Sequence, residues 1–172
     1  MADILPAALD ACLAPALDFL MDVEAGAADV LDADGRTATG ETKRSLYVDP
    51  PAVTGDRVEG GVGASSPHAL YVKTGRQPGT PPPYQASADW VETKLGFPEG
   101  EAPYPLVRAI QAAIGERGTD GTDYFGRPIE ALLPFFVDAV ADAVAPAVGT
   151  AARTRLLETA DGFQILLEVG EA

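Results

Sequence analysis

Few residues in this chain could do covalent chemistry. His68 is the only histidine, and Ser65 and Ser66 stand close before it. A hydrolase uses such a histidine to take the proton of a serine nucleophile held on a strained turn. Neither serine sits in a G-x-S-x-G elbow, so the plainer reading is a loop histidine that hydrogen-bonds or faces solvent. GGVGAS at 60–65 lacks the third glycine of G-x-G-x-x-G and the Gly-Lys-Ser/Thr ending of a phosphate loop; a tight hairpin explains it better. DADG at 32–35 carries two carboxylates of a calcium loop. Its glycine follows the second aspartate directly, and Lys43 stands where that loop needs its final glutamate. One cysteine and one histidine cannot fill the four positions of a zinc site. Cys12 has no partner for an internal disulfide and lies on an apolar helical stripe, as a small core residue would. The expectation is a protein that is not an enzyme, with no catalytic residue, no cofactor and no metal.

The charge is lopsided, with 26 acidic residues against 12 basic ones and a net charge of -14. The lysines are Lys43, Lys73 and Lys94 alone. Arg44, Arg76 and Arg108 are scattered and read as ion-pair partners. Such a surface repels phosphate backbones, which excludes DNA binding driven by counterion release. No stretch approaches the roughly 18 apolar residues of a membrane span. The opening MADILPAALD has no basic run before its apolar residues, so the expectation is no secretory leader and assembly in a host cytoplasm.

Apolar periodicity supplies the elements. Leu5, Leu9, Cys12, Leu13, Ala16, Leu17 and Leu20 recur at helical spacing and predict a helix from Asp3 to about Val30. Asp3 is the expected N-cap, and Pro15 is expected to kink the helix or divide it in two. A polar loop follows at 32–43. Arg44 to Val48 reads as a strand halted by Pro50-Pro51, and Arg57 to Gly63 as its antiparallel partner with Val58 and Val62 on one face. Glycines 60, 61 and 63 suggest a bulge or close backbone contact. Ala69 to Thr74 is ambiguous between strand and helical turn. The prolines of GRQPGTPPP, 75–83, exclude regular helix there and favour extended geometry. Helices are predicted at 85–95, with Ala88, Val91 and Leu95 beside Trp90, and at 103–117, with Leu106, Val107, Ile110, Ala113 and Ile114 on one face. After a glycine-rich loop at 115–126, Pro128 opens the strongest helix signal, carried by Ile129, Leu132, Leu133, Phe136, Val137, Val140, Ala141 and Val144. Phe163, Ile165, Leu167 and Val169 alternate as a final strand that joins the hairpin. The fold class is α+β, with a small antiparallel sheet, helices mainly on one face and a long N-terminal helix. Residues 1–172 read as a single domain with flexible loops near 32–43, 75–84 and 115–126.

Four segments, in order, carry recognisable motifs. Thr39-Gly40 followed by Lys43-Arg44-Ser45-Leu46 is similar to "T-G-x-L-x-x-S-I". GVGASSPHALYVKTGRQPGTPPP, 61–83, resembles "V-G-x-x-x-x-Y-A-x-Y-V-E-x-G-T-R-P-x-x-P-P", with Tyr71, Val72, Gly75 and Pro78 in matching places. Trp90-Val91 with Lys94-Leu95-Gly96 is similar to "W-V-x-x-K-L-G". VRAIQAAIGERGTDGTDYF, 107–125, looks like "A-x-A-I-x-x-x-I-x-x-R-G-T-x-G-x-x-F-F". Together these segments resemble the tail-component family of long-tailed phages that includes tail-completion and neck proteins. Lys73 stands where that family usually has glutamate, and Arg76 where it usually has threonine.

The resemblance implies a structural virion protein at the head–tail junction: a homo-oligomeric ring, expected as a hexamer, that joins the head connector or stopper proteins to the tail tube. DNA would pass through its channel without specific binding, helped to slide by like charge. Tyr71 just before the proline-rich loop, Arg76, Pro78 and Pro82 on it, Trp90 expected beneath it, and Tyr124 and Phe125 at the tip of a glycine-hinged finger are the candidate interface residues. A tail terminator or head-closing stopper is the nearest alternative. A small hydrolase using His68, and a cellular binding module presenting its three prolines, are the alternatives from other classes. The acidity itself has two readings, simple solubility or a salt-loving host, where screening removes self-repulsion. A salt-loving host predicts unfolding at millimolar salt and stability at molar salt. Thermal melts at both concentrations check this, and full stability at low salt assigns the acidity to solubility.

Overall fold

Leucine, alanine and valine at helical spacing wind the first part of the chain into one long helix. In the computed structural model, which describes residues 4–36, 39–148, 152–159 and 162–169, α1 runs Ile4–Ala33 as 30 residues with Pro15 inside. Asp3, the expected N-cap, lies outside the described residues. Pro15 does not divide the helix. A proline forfeits one backbone hydrogen bond at a cost of about 3 kcal/mol, and the buried stripe Leu9, Cys12, Ala16, Phe19, Leu20, Val23 and Ala27 runs on past it. The helix ends in the DADG turn. Gly35 adopts φ 66°, and Gly35 and Arg36 donate their amides to the carbonyls of Asp32 and Leu31, a helix C-terminal closure that needs glycine. A short helix α2, Glu41–Arg44, follows.

The strands are β1 Leu46–Thr54, β2 Arg57–Ala64, β3 Ala152–Thr159 and β4 Gly162–Val169. They form one sheet in the order β1-β2-β4-β3, and each neighbouring pair is antiparallel. The first strand was expected to stop before Pro50-Pro51, but β1 continues through them. The register shifts between Asp49 and Ala52, so the prolines fall in a bulge on an edge strand, where their missing amides break no regular ladder. Val58 and Val62 are buried on β2 as expected, and pair in register with Leu167 and Phe163 of β4. Strand β3 was not expected at all.

Helices α3 Ala69–Thr74, α4 Tyr84–Leu95, α5 Tyr104–Arg117 and α6 Gly126–Val148 complete the described elements, and the fold is α+β. The chain divides into two compact units. One comprises residues 1–30, 45–65 and 124–172, which hold most of α1, the sheet and α6. Within it, Phe19 of α1 stacks on Phe136 of α6 with ring centroids 4.5 Å apart. Gly26 admits Pro128 so closely that a Cβ there would lie 2.8 Å from the proline ring. Gly60 of β2 is pressed between Pro51 and Leu20, where a Cβ would meet Pro51 Cα at 2.9 Å. On α6, Ile129, Phe136, Val140 and Val144 are buried while Val137 and Ala141, expected in the stripe, are exposed. Tyr124 and Phe125 are not a finger. They are 2% and 1% exposed, just ahead of α6, with their rings in contact at 4.6 Å.

The other unit comprises residues 31–44 and 66–123. Its core is Ala88 and Val91 of α4 against Val107 of α5, joined by Phe97, Ala102, Leu106 and Ile110. Gly96 ends α4 in the left-handed conformation, φ 76° and ψ 29°. Beyond it, the Glu92 carboxylate accepts the amides of Gly100 and Ala102 at 3.0 and 3.2 Å, holding the turn into α5. No helix among the described residues is long and apolar enough to cross a membrane.

Burial pushes the Cys12 thiol from 9.0 up to about 11 and the Tyr124 phenol from 10.0 up to about 12. Both groups are neutral when protonated, so the folded state holds the proton more tightly than the unfolded chain. The stability this adds is complete below pH 9. It falls between pH 9 and 11 for Cys12 and between pH 10 and 12 for Tyr124 as the unfolded chain gains by ionising. Each group is expected to withdraw on the order of 2 kcal/mol across its window. Urea unfolding at pH 8 and pH 11.5 measures this fall, and Tyr124→Phe makes it shallower above pH 10.

Candidate functional site

The loop after α3 and the loop after α5 are joined backbone to backbone. Arg76 and Thr119 exchange both amide hydrogen bonds at 2.8 Å, forming an isolated antiparallel bridge. Thr122 N donates to Val72 O at 2.9 Å and Gly79 N to Gly115 O at 2.7 Å. Three glycines make this possible. Gly75 and Gly118 have φ of 75° and 74°, a region that side chains disfavour. A Cβ at Gly75 would overlap Thr119 O, one at Gly118 would overlap Arg76 O, and one at Gly121 would overlap Lys73 O.

Side chains complete the clasp. Gln111, buried on α5, donates Nε2–H to Pro82 O at 2.6 Å and accepts from Arg108 at 3.1 Å. Arg36 donates to Asp120 O at 2.8 Å and to the hydroxyl of buried Thr122 at 3.1 Å. Along the chain 75–84 and 115–126 are separate loops, and no motif marks Gln111 as their link. The signal for Gln111 was one polar position within the otherwise apolar face of α5.

The clasp holds several candidate interface residues in one place. The guanidinium of Arg76 lies 5.7 Å from the centroid of the Tyr71 ring and donates to Thr80 O at 3.1 Å. Tyr71 is 56% exposed, Pro78 is exposed, and Pro82 is half-buried with its carbonyl taken by Gln111. Trp90 lies on α4 and is 41% exposed, while Ala88 and Val91 occupy buried positions of that helix. Leu95, expected in that core, is exposed too. Tyr124 and Phe125 belong to the other unit and are core side chains.

His68 immediately precedes α3, with its ring Nε2 3.9 Å from a Glu41 carboxylate oxygen and its side chain largely exposed. Ser66 donates its hydroxyl to Glu41 at 3.0 Å and accepts the His68 amide at 3.2 Å. A triad places the histidine between the serine and the acid; here the acid stands between serine and histidine, and the serine oxygen is used to close a turn. The DADG aspartate Asp32 is ion-paired with Lys43, and no group of three or more potential metal ligands occurs among the described residues. No family model matches the chain. No curated protein and no solved structure matches it either.

Replacing Gly118 with alanine puts a Cβ into Arg76 O and strains a positive φ, which is expected to cost about 1–3 kcal/mol. Because the clasp would open locally, trypsin cleavage after Arg76 and Arg117 is expected to accelerate about tenfold or more. Equal cleavage rates in the variant and the native protein would show that the clasp does not depend on this contact.

Proposed function

We propose that the protein is a structural ring subunit at the head–tail junction of a tailed virus, binding the head connector on one side and the tail tube on the other. One observation carries this reading. The segments 61–83 and 107–125, which resemble the phage neck and tail-completion family, include both halves of the clasp. The clasp fixes the backbone of half-buried Arg76 and exposed Pro78, beside exposed Tyr71 of α3. A pre-ordered loop docks without losing further backbone entropy, which suits a subunit whose work is assembly. The tail terminator and head-closing stopper remain the near variants of this reading.

Electron microscopy of lysates from a virus with this gene disrupted tests it. Filled heads beside free tails of normal length are expected. Tails of uncontrolled length would make the protein a terminator, and leaky empty heads a stopper. Normal infectious particles would overturn the virion reading. His68→Ala is expected to leave assembly intact, whereas the hydrolase alternative requires it to abolish function.

A further inference from the structure

The unit that holds the sheet carries an unfilled apolar groove. Helices α1 and α6 line an open cavity of about 360 Å³ with Pro15, Phe19, Leu132, Phe135 and Phe136. Phe135 is 72% exposed, so its ring is offered to whatever enters. Asp18 and Asp22 stand on the same wall of α1. Neither carboxylate is engaged in an ion pair among the described residues. The groove thus asks for an aromatic or aliphatic side chain accompanied by a cation.

The other unit presents that combination ready-made. Exposed Tyr71 of α3 and half-buried Arg76 form an aromatic–cation pair, with the guanidinium 5.7 Å from the ring centroid and the arginine backbone held by the clasp. We propose that the Tyr71–Arg76 pair of one copy seats in the Phe135 groove of the next copy, with the Tyr71 ring against Phe135 and Pro15 and the Arg76 guanidinium on Asp18 or Asp22. This deepens the ring reading and rests on it.

Charge argues for a second copy of this chain as the occupant, in this orientation. With a net charge of -14, two copies repel at long range, and a cation meeting carboxylates across the contact selects one docking arrangement over the rest. The contact is heterologous, because the acidic groove and the basic pair are different surfaces. Repeated head to tail, such a contact closes into a ring when its rotation permits. The ordering cost is small: the pair is fixed before it binds, and a guanidinium can meet a carboxylate through two parallel hydrogen bonds.

Sedimentation velocity of the full chain and two surface variants tests this, at low and at high salt. The native protein is expected to self-associate. Arg76→Glu, which keeps the groove, and the double variant Asp18→Arg with Asp22→Arg, which keeps the pair, are each expected to weaken association about tenfold or more. Mixing them is diagnostic: the intact groove of one accepts the intact pair of the other, and the glutamate at position 76 meets the arginines of the reversed groove, so the mixture is expected to regain the association that each variant alone has lost. In a Cys12→Ala background, Tyr71→Cys and Ala139→Cys chains are also expected to form an intermolecular disulfide on oxidation. A native chain that stays monomeric overturns the proposal. So do variants that associate normally, a mixture that regains no association, or association lost through Lys94→Glu on α4 but not through Arg76→Glu. If the groove contact holds but loss of the gene leaves infectious particles, only the neck reading fails. If the gene is needed at the neck but the variants assemble normally, only the groove contact fails.

Discussion

Residues 72–83 keep their shape because Gly75, Gly118 and Gly121 let that backbone lie directly against residues 118–121. A side chain at any of the three would force the strands apart, and the paired amides of Arg76 and Thr119 would lose each other. Other contacts of the clasp follow from that approach. Gln111 reaches Pro82 and Arg36 reaches Asp120 because the two loops are held at one separation. The prolines at 78, 81, 82 and 83 narrow the unfolded alternatives, so the clasp closes against a smaller entropy loss. An arginine on a free loop would sample many positions; with its backbone held by the clasp, Arg76 meets Tyr71 of α3 with its guanidinium 5.7 Å from the ring centroid.

The same backbone economy explains why Ser66, Glu41 and His68 make a corner and not a catalytic relay. Ser66 accepts the His68 amide and donates to Glu41, satisfying groups at the turn into α3. The serine hydrogen is therefore directed at a carboxylate, which holds the oxygen in place without the imidazole that would draw off its proton. Glu92 plays a comparable part at the turn between α4 and α5, where it accepts two amides. These carboxylates organise loops that helix periodicity leaves unspecified.

How much of this was legible in the sequence depends on the range of the forces involved. Helices α1, α4, α5 and α6 were readable because their apolar residues repeat locally, and β2 and β4 because theirs alternate. Pro15 and Pro50-Pro51 misled because proline's cost is local while the packing or bulge that absorbs it lies outside the pattern. Strand β3 was missed because Arg-Thr-Arg-Leu-Leu-Glu-Thr follows no period of two, and the ladder to β4 comes from the partner strand. Tyr124 and Phe125 looked like a finger because Gly118 and Gly121 precede them; those glycines serve close approach in one unit, and the aromatics begin the core of the other. Of the candidate interface set, the order of the residues showed that Tyr71 and Pro78 lie close along the chain, Tyr71 in α3 and Pro78 in the loop after it. It could not show that Arg76 would stack on Tyr71, since that depends on a bridge to Thr119.

An acidic chain faces a constraint on self-assembly that a balanced one does not. Acidic residues outnumber basic ones by 26 to 12, so an isologous contact, which sets a patch against its own copy, tends to bring carboxylates face to face. Like charges so placed are costly unless salt screens them. A heterologous contact avoids this by letting the few cations meet acids elsewhere on the neighbour. The stacked Arg76 and the Asp18–Asp22 wall are such opposites. On the proposed contact, scarce positive charge would favour head-to-tail growth over paired dimers, and that growth closes into a ring where the rotation permits. The acidity that argues against gripping DNA is, in this reading, also what gives assembly a direction.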